Sequence, residues 1–401
     1  MNLRSLFSKK EHKNELKKSV LLVDIGSASV STALVIIEDK KSTLVATESN
    51  DIAILSNLTY GQFEKEMHKS LATSLSKILN KIPGSIDAVN VCLASPWYDS
   101  QVRTAKLLRN TPFVVSKTIL DDMIKRELKA FEEEQIKTKK ISGDSVRSVE
   151  SQTIRATLNG YETHEPIGLN AKQLELTIFL SVASEHTIKR TEEIIKRVYE
   201  APVTFSTFLS MTYLVARDFF PHQDNYMLMD IGGEVTDISF VKQNGLQQSF
   251  SFPMGKNFIL RRLSVGLQRT IAESETLWAL HNEAKTTGAV YEACNRILIA
   301  AKKEWQVAFQ QALYSASKDL GVPDVILLSV DDSISFWFSD AIKNEQFHQN
   351  TLAGKEFKVF FMNSSLFNDA LSFGQNVEKN SALMVEAIGI KYLFDNNMFT
   401  I

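Results

Sequence analysis

The sequence predicts an α/β protein made of two related halves, and the positions of two short loops are the main reason. Each loop combines an aspartate with glycine after an apolar run: Asp24 with Gly26 near the start, and Asp230 with Gly232 and Gly233 past the midpoint. After each loop, apolar runs of strand length give way to longer stretches with helical periodicity. Halves that begin alike predict two similar domains that face one another.

Both loops have the composition of a strand, a tight turn and a second strand. Glycine lets backbone N–H groups approach a phosphate closely, because no Cβ stands in the way and positive φ is allowed. An aspartate at the strand tip can hold Mg²⁺ through water, since this ion keeps most of its hydration shell. A single such turn is also common as a plain hairpin turn. Two of them favour a clamp that holds one nucleotide from both sides.

The composition is typical of a folded cytoplasmic protein without a nucleic-acid partner. The 401 residues are 44% hydrophobic with a formal charge of −2, so the chain can bury two or more cores and has no basic field. The two cysteines, Cys92 and Cys294, lack metal-ligand spacing and are too few for a disulfide framework. No apolar run reaches the ~18 residues of a membrane span, and no secretory signal is evident.

Periodicity and turn residues predict the remaining elements. In the first half these are two strands, a helix and a third strand, at residues 32–37, 43–47, 61–81 and 88–94. A charged helix at 117–134 follows Ser116, a plausible N-cap, and its apolar stripe predicts core packing: Leu120, Met123, Ile124, Leu128 and Phe131. Residues 137–151 predict a solvated loop. The second half predicts helices at 258–284, 290–317, 334–343 and 380–394, and a buried strand at 325–328.

Several stretches resemble the actin-like ATPase superfamily, and within it the bacterial cell-division FtsA family. Residues 161–168 resemble a tyrosine followed by an Asn-Pro-x-Gly stretch, and residues 174–180 resemble the strand after it. Pro253-Met254-Gly255 resembles a Pro-x-Gly-Gly turn, and residues 263–277 resemble a Gly-Leu to Ala-Glu helix. The resemblance covers about residues 19–283.

This resemblance implies an actin-like, ribonuclease H-like fold: a two-domain nucleotide clamp with a small strand-and-helix insert of the kind found in FtsA and its pilus-assembly relative PilM. The implied domains begin with a flexible or amphipathic leader (1–18) and a first domain in two pieces (19–85 and 173–224), which are separated by the insert (86–172). A second domain (225–376) follows, and a closing helix (377–401) returns to the first domain.

The resemblance also implies ATP and Mg²⁺ as ligands and gives individual residues roles. Asp24 and Asp230 would face Mg²⁺ through water, and six residues would contribute donors or approach the phosphates: Gly26, Ser27, Ser29, Gly232, Gly233 and Thr236. Asp237 would position a water for hydrolysis or close the turn, because phosphoryl transfer depends mostly on positioning and charge neutralisation. On the nucleoside side stand Ser329 and Trp278; the indole can stack on a base or pack in the core.

Several positions differ from the family pattern. Glu234 replaces the third glycine of the second loop, and a carboxylate beside a triphosphate is repelled unless it turns outward or pairs with Mg²⁺. Lys256 replaces the second glycine after Pro253. Residues 329–332 replace Thr-Gly-Gly in the adenosine loop. A backbone surface on which adenine can lie is hard to build there without glycine. Turnover is expected to be slow at most.

The sequence therefore favours an ATP-binding scaffold of the FtsA type at the inner face of the cell membrane, with copies of itself and a membrane-associated division protein as partners. A PilM-like scaffold that binds the tail of an inner-membrane pilus protein is the alternative, and an active ATP-hydrolysing enzyme is a third. The leader is either a disordered tail or a short amphipathic anchor, with Leu3, Leu6 and Phe7 on one face. The C-terminal residues 392–401 have no basic face, so membrane attachment would fall to the leader.

Overall fold

A computed structural model describes residues 17–38, 41–55, 59–82, 85–138, 145–317, 321–344, 346–347, 351, 354–375 and 377–395. The apolar residues of the leader on which an amphipathic anchor would depend lie outside these ranges. No helix within the described ranges is long and apolar enough to cross a membrane.

The first large sheet has six strands in the order β15-β3-β2-β1-β4-β9. Strands β1 to β3 form an antiparallel meander, and β4 and β9 add to β1 in parallel. The bounds are β1 Lys18–Ile25, β2 Ser29–Ile37, β3 Ser42–Asp51, β4 Ala88–Leu93, β9 Val203–Thr207 and β15 Leu371–Phe373.

The second large sheet has five strands in the order β12-β11-β10-β13-β14. It repeats the first sheet: an antiparallel meander from β10 to β12, with β13 and β14 added in parallel. The bounds are β10 Tyr226–Ile231, β11 Thr236–Lys242, β12 Gly245–Phe252, β13 Val325–Val330 and β14 Lys358–Phe361. The two sheets thus share one strand order, as expected for halves that begin alike.

The helices and the two sheets form alternating layers. Helices α4 and α10 share a hydrophobic core with the inner faces of both sheets and so lie between them. Helices α1 and α3 cover the outer face of the first sheet, and α5 to α8 cover the outer face of the second. The helix bounds are α1 Tyr60–Leu79, α2 Lys117–Thr138, α3 Glu185–Lys196, α4 Phe208–Phe219, α5 Lys256–Leu267, α6 Ile271–Asn282, α7 Gly288–Ser317, α8 Ser335–Ile342, α9 Ser364–Phe367 and α10 Ser381–Asp395, with a 3₁₀ turn at Asp332–Ile334.

A separate four-stranded sheet, β5-β8-β6-β7, forms the insert together with α2. Its strands are β5 Tyr98–Val114, β6 Val146–Leu158, β7 Tyr161–Thr163 and β8 Asn170–Ser184. The sheet thus spans Tyr98 to Ser184, whereas the sequence placed the insert at 86–172, a range that includes β4 of the first sheet. The apolar stripe of α2 packs on this sheet, with Met123 and Phe131 buried, as predicted.

Two predicted elements are wrong in detail. The helix expected at 258–284 is two helices, because Gln268 ends α5 in a left-handed conformation (φ 52°) and Thr270 and Glu273 form a capping box that starts α6. The solvated loop expected at 137–151 ends earlier, since β6 begins at Val146. Glu150 of that strand accepts hydrogen bonds from the Thr207 N–H and hydroxyl (3.1 and 2.6 Å), which ties the insert to the start of α4.

Candidate functional site

The alternation of side chains along β1 and β10 determines where the two loop aspartates point. In β1, Leu21 and Val23 face the outer helices, while Val20 and Leu22 face the middle layer; Asp24, two residues beyond Leu22, continues the inner row. In β10, Leu228 likewise faces the middle layer, and Asp230 follows two residues later. The two carboxyl groups therefore converge from opposite sheets on the layer that holds α4 and α10.

Both loops line one cleft of about 360 Å³, here called the phosphate cleft. Its walls come from the two loops, the ends of β4 and β13, and the starts of α4, α5 and α10. The predicted site residues found on its walls are Asp24, Gly26, Ser27, Ser29, Asp230, Gly232, Gly233 and Ser329. Thr236, Asp237 and Trp278 lie elsewhere.

The two loops touch each other at the cleft. The N–H of Glu234 donates a 3.0 Å hydrogen bond to Ser27 Oγ, and a Cβ built on Gly233 would lie 2.8 Å from the nitrogen of Ala28. The start of α5 also holds the second loop. The N–H groups of Lys256 and Asn257 donate hydrogen bonds to the carbonyls of Gly232 and Gly233 (3.0 and 2.7 Å). Glycine is required here because no side chain fits between the loops.

Glu234, the residue that departs from the glycine pattern, turns away from the phosphate cleft. Its buried carboxylate forms a bidentate ion pair with Arg261 of α5 and accepts a 2.8 Å hydrogen bond from Asn257 Nδ2. Neither carboxylate oxygen faces the space beside Asp24 and Asp230. The expected repulsion of a phosphate is therefore relieved by orientation and by a guanidinium partner.

The carboxyl groups in and behind the cleft hold protons strongly. Burial, together with the charge of Asp237, raises the pKa of Asp230 to about 8, although a hydrogen bond with Ser329 opposes this. Burial also raises the pKa of Asp24, and the neighbouring Glu386 side chain partly offsets that effect. Carboxyl groups in this state bind a cation by releasing protons, because a nearby positive charge favours the ionised form.

Glu386 of α10 was not expected from the sequence. It is fully buried, and neither of its carboxylate oxygens has a hydrogen-bond partner among the described residues, although Asp24 and Cys92 lie close enough to affect its pKa. Burial and the charge of Asp24 raise its pKa well above the ordinary value, so the protonated form of the Glu386 carboxyl is favoured. A glutamate within an otherwise largely apolar helix, next to Ala387, was the available signal.

Asp237 and Thr236 do not face the cleft. Asp237 lies opposite Asp230 on the neighbouring strand and accepts a hydrogen bond from Ser251 Oγ; burial raises its pKa to about 6. It lines a small cavity that adjoins the cleft and shares Asp230 with it. Thr236 is fully buried, and its hydroxyl donates to the Met254 carbonyl (2.7 Å). The expected roles of these two side chains toward a phosphate or a water do not match their positions.

Near α6, charged side chains occupy the region where the family pattern has a glycine-rich adenosine loop. Lys256 Nζ lies 2.8 Å from Glu275 of α6 and 3.0 Å from Asp331 of the loop after β13. Trp278 is 1% exposed and packs in the core with its ring edge-on to Trp337, 6.2 Å between centroids. Of the two roles that the sequence left open for Trp278, the structure supports core packing.

Comparisons with known proteins show which solved structures have a similar architecture. No protein-family model matches the sequence, and no curated protein does. The structure of a PilM-PilN type IV pilus biogenesis complex aligns over 94% of this chain and 98% of that chain, with a TM-score of 0.60 and 13% identity. The ethanolamine utilization protein EutJ from Carboxydothermus hydrogenoformans aligns over 92% and 88%, with a TM-score of 0.45 and 11% identity. A Bacteroides thetaiotaomicron protein with an actin-like ATPase fold aligns over 92% and 96%, with a TM-score of 0.42 and 12% identity.

At these identities the similarity describes architecture. The similarity to the PilM-PilN structure, together with the repeated strand order, supports the predicted actin-like fold.

Proposed function

We propose that this protein is a scaffold that binds Mg²⁺–ATP in the phosphate cleft and changes the spacing of its two domains in response. One observation supports this above all: Asp24 and Asp230 occupy equivalent positions in two repeated sheets and line one cleft. A single ligand between them contacts both domains. Its presence or absence then becomes a difference in domain arrangement that a partner can detect.

The residues present fit Mg²⁺ and a phosphate chain. Two carboxyl groups, the hydroxyls of Ser27 and Ser29 and a glycine-rich turn in each domain line the cleft. Mg²⁺ typically takes one or two protein carboxylates and completes its shell with water and phosphate oxygens. The described residues contain no group of three or more His, Cys, Asp or Glu side chains that could hold a metal alone. A Mg²⁺ ion here would therefore arrive with its nucleotide.

Slow hydrolysis, or none, fits the same geometry. The carboxylate best suited by sequence to orient a water, Asp237, does not line the phosphate cleft itself but an adjoining cavity, and it accepts a hydrogen bond from Ser251. Thr236 is turned into the core, and Glu234 is paired with Arg261. Phosphoryl transfer to water requires a positioned nucleophile. A binding role is favoured over rapid turnover.

For the biological setting we place a PilM-like role first: a scaffold that grips a cytoplasmic segment of a membrane protein of pilus assembly. Similarity to PilM over 94% of this chain supports that choice. The FtsA-like alternative, self-assembly at the membrane in cell division, retains support from the turn at 166–168, where Gly168 has φ 87°. Both place the protein at the inner face of the membrane.

Equilibrium binding of a fluorescent ATP analogue with Mg²⁺ tests the proposed ligand. Micromolar binding to the intact protein should be lost in Asp24→Ala and in Asp230→Ala, each confirmed to be folded by circular dichroism. Asp218→Ala removes an exposed carboxylate outside the cleft and should bind as the intact protein does. Absence of binding to the intact protein would refute the nucleotide switch and leave a nucleotide-free scaffold.

A second experiment tests attachment to the membrane by the leader. Vesicles containing anionic lipid are pelleted with the full chain and with a chain lacking residues 1–18. Loss of co-pelleting on truncation supports an amphipathic anchor. Equal pelleting of the two chains rejects it.

A further inference from the structure

A groove on the outer face of the first domain carries an unusual concentration of positive charge. It lies between α1 and α3, has a volume of about 530 Å³, and is lined by six basic or imidazole side chains: Lys65, His68, Lys69, His186, Arg190 and Arg197. The only acidic residue on its walls is Glu64. None of these residues lines the phosphate cleft. We call it the α1/α3 groove.

The charge is local, because the whole chain has a formal charge of −2. Lys65 and Arg197 are exposed and form no ion pair with any residue of the described ranges. Lys69 and Arg190 pair only with exposed or half-buried neighbours on their own helices, at 3.4 and 2.9 Å. Such surface pairs contribute little and exchange readily for another carboxylate. A concave surface with cations on both walls focuses the field and attracts an anionic ligand.

The floor of the groove indicates which kind of anion fits. Glu64 is 9% exposed, accepts a hydrogen bond from Thr187 Oγ1 and lies 3.3 Å from His186 Nδ1. His68 Nε2 lies 3.4 Å from Thr191 Oγ1. A phosphate group pushed to this floor would meet the Glu64 carboxylate. A peptide instead offers backbone N–H donors to the floor and side-chain carboxylates to the cationic walls.

We propose that the α1/α3 groove binds an acidic, Asp- or Glu-rich linear segment of a partner protein. A flat bilayer does not reach between two helices, so the concave shape favours a peptide over a lipid surface. This inference goes beyond nucleotide binding and is independent of it, because the groove lies on the other side of the first sheet from the middle layer.

The test uses the full chain and a fluorescein-labelled twelve-residue peptide of alternating Glu and Ser, followed by fluorescence anisotropy at low ionic strength. The double variant Lys65→Glu/Arg197→Glu reverses both unpaired groove charges. The double variant Lys303→Glu/Lys343→Glu makes the same change in net charge at exposed positions of the second domain. All four side chains are exposed, so each variant should fold, which circular dichroism confirms.

The expected result is saturable binding that weakens at least tenfold in the groove variant and less than threefold in the control variant. Equal weakening in the two variants would mean a general charge effect and would overturn the proposal. So would absence of peptide binding to the intact chain. Phosphatidylserine vesicles are pelleted in parallel. Groove-dependent pelleting without peptide binding would assign the groove to a membrane surface instead.

Discussion

The backbone N–H of Glu234 donates a hydrogen bond to the hydroxyl of Ser27, which joins two loops 207 residues apart in sequence. The contact brings the turns together at the place where a phosphate chain would lie between them. No added side chain fits between the turns at this contact, and both turns line the phosphate cleft. A phosphate chain in this cleft would therefore contact both turns.

Gly233→Ala tests how tightly the loops meet. The new Cβ would lie within 3.0 Å of backbone atoms of Ser27 and Ala28, which cannot move as a flexible side chain does. We expect a loss of about 1–3 kcal/mol in the free energy of unfolding, as for other overpacked sites. Chemical denaturation measures it. Gly61→Ala is the control, because nothing lies within 4 Å of its added Cβ and alanine favours a helix. Equal stability of the two variants would contradict the contact.

Arg261→Ala tests the partner of Glu234. Removal of the guanidinium leaves the Glu234 carboxylate without its counter-ion, and this side chain is only 9% exposed. Breaking a buried ion pair typically costs about 3–5 kcal/mol. The matched control is Arg262→Ala on the same helix, whose pair with Glu304 is exposed and should contribute less than about 1 kcal/mol. Similar losses in urea denaturation of the two variants would show that Glu234 does not depend on Arg261.

Glu150→Gln tests the junction between the insert and α4 through its pH dependence. Burial raises the pKa of Glu150 to about 7 from 4.5, despite hydrogen bonds from Thr207 and Ser210 that lower it. The folded state therefore binds more protons than the unfolded state between these two values, so stability falls as pH rises through this window. The stability of the natural protein relative to the glutamine variant should decline by no more than about 3 kcal/mol from pH 4.5 to 7. A difference that does not change with pH refutes the shift.

Trp278→Ala separates the two roles that the sequence allowed. A tryptophan buried in the core should cost about 3–5 kcal/mol of stability when truncated. The folded fraction, measured at low temperature, should retain the nucleotide affinity of the intact protein, because the indole does not line the cleft. A selective loss of nucleotide affinity with little loss of stability would instead indicate that Trp278 contacts the nucleoside.

Much of the architecture was predictable because its signals are local. Apolar runs that end in an aspartate and a glycine predict both loops, and the period of two along β1 and β10 is enough to turn Asp24 and Asp230 to the same layer. The break between α5 and α6 was missed, since Gln268 adopts a conformation usually taken by glycine. The capping box of Thr270 and Glu273 was the sequence signal that could have revealed it.

Other features depend on contacts between residues that are far apart in the chain. Glu386 meets Asp24 only because α10 returns to lie between the two sheets. Composition alone made the stretch at 137–151 resemble a solvated loop, whereas Glu150 is held by Thr207 and Ser210. The outward turn of Glu234 depends on Arg261, whose side chain is placed by the packing of α5. Contacts of this kind leave no pattern in the local sequence, so they could not be predicted from it.

A double-mutant cycle tests most directly whether Asp24 and Asp230 act on one ligand. Dissociation constants for Mg²⁺–ATP are measured by titration calorimetry for the intact protein, Asp24→Asn, Asp230→Asn and the double variant. If both carboxylates hold the same ion, the double variant should lose little more affinity than the weaker single variant, because the effects of groups that act together are not additive. Fully additive losses, or tight binding that survives in both single variants, would contradict a two-sided clamp.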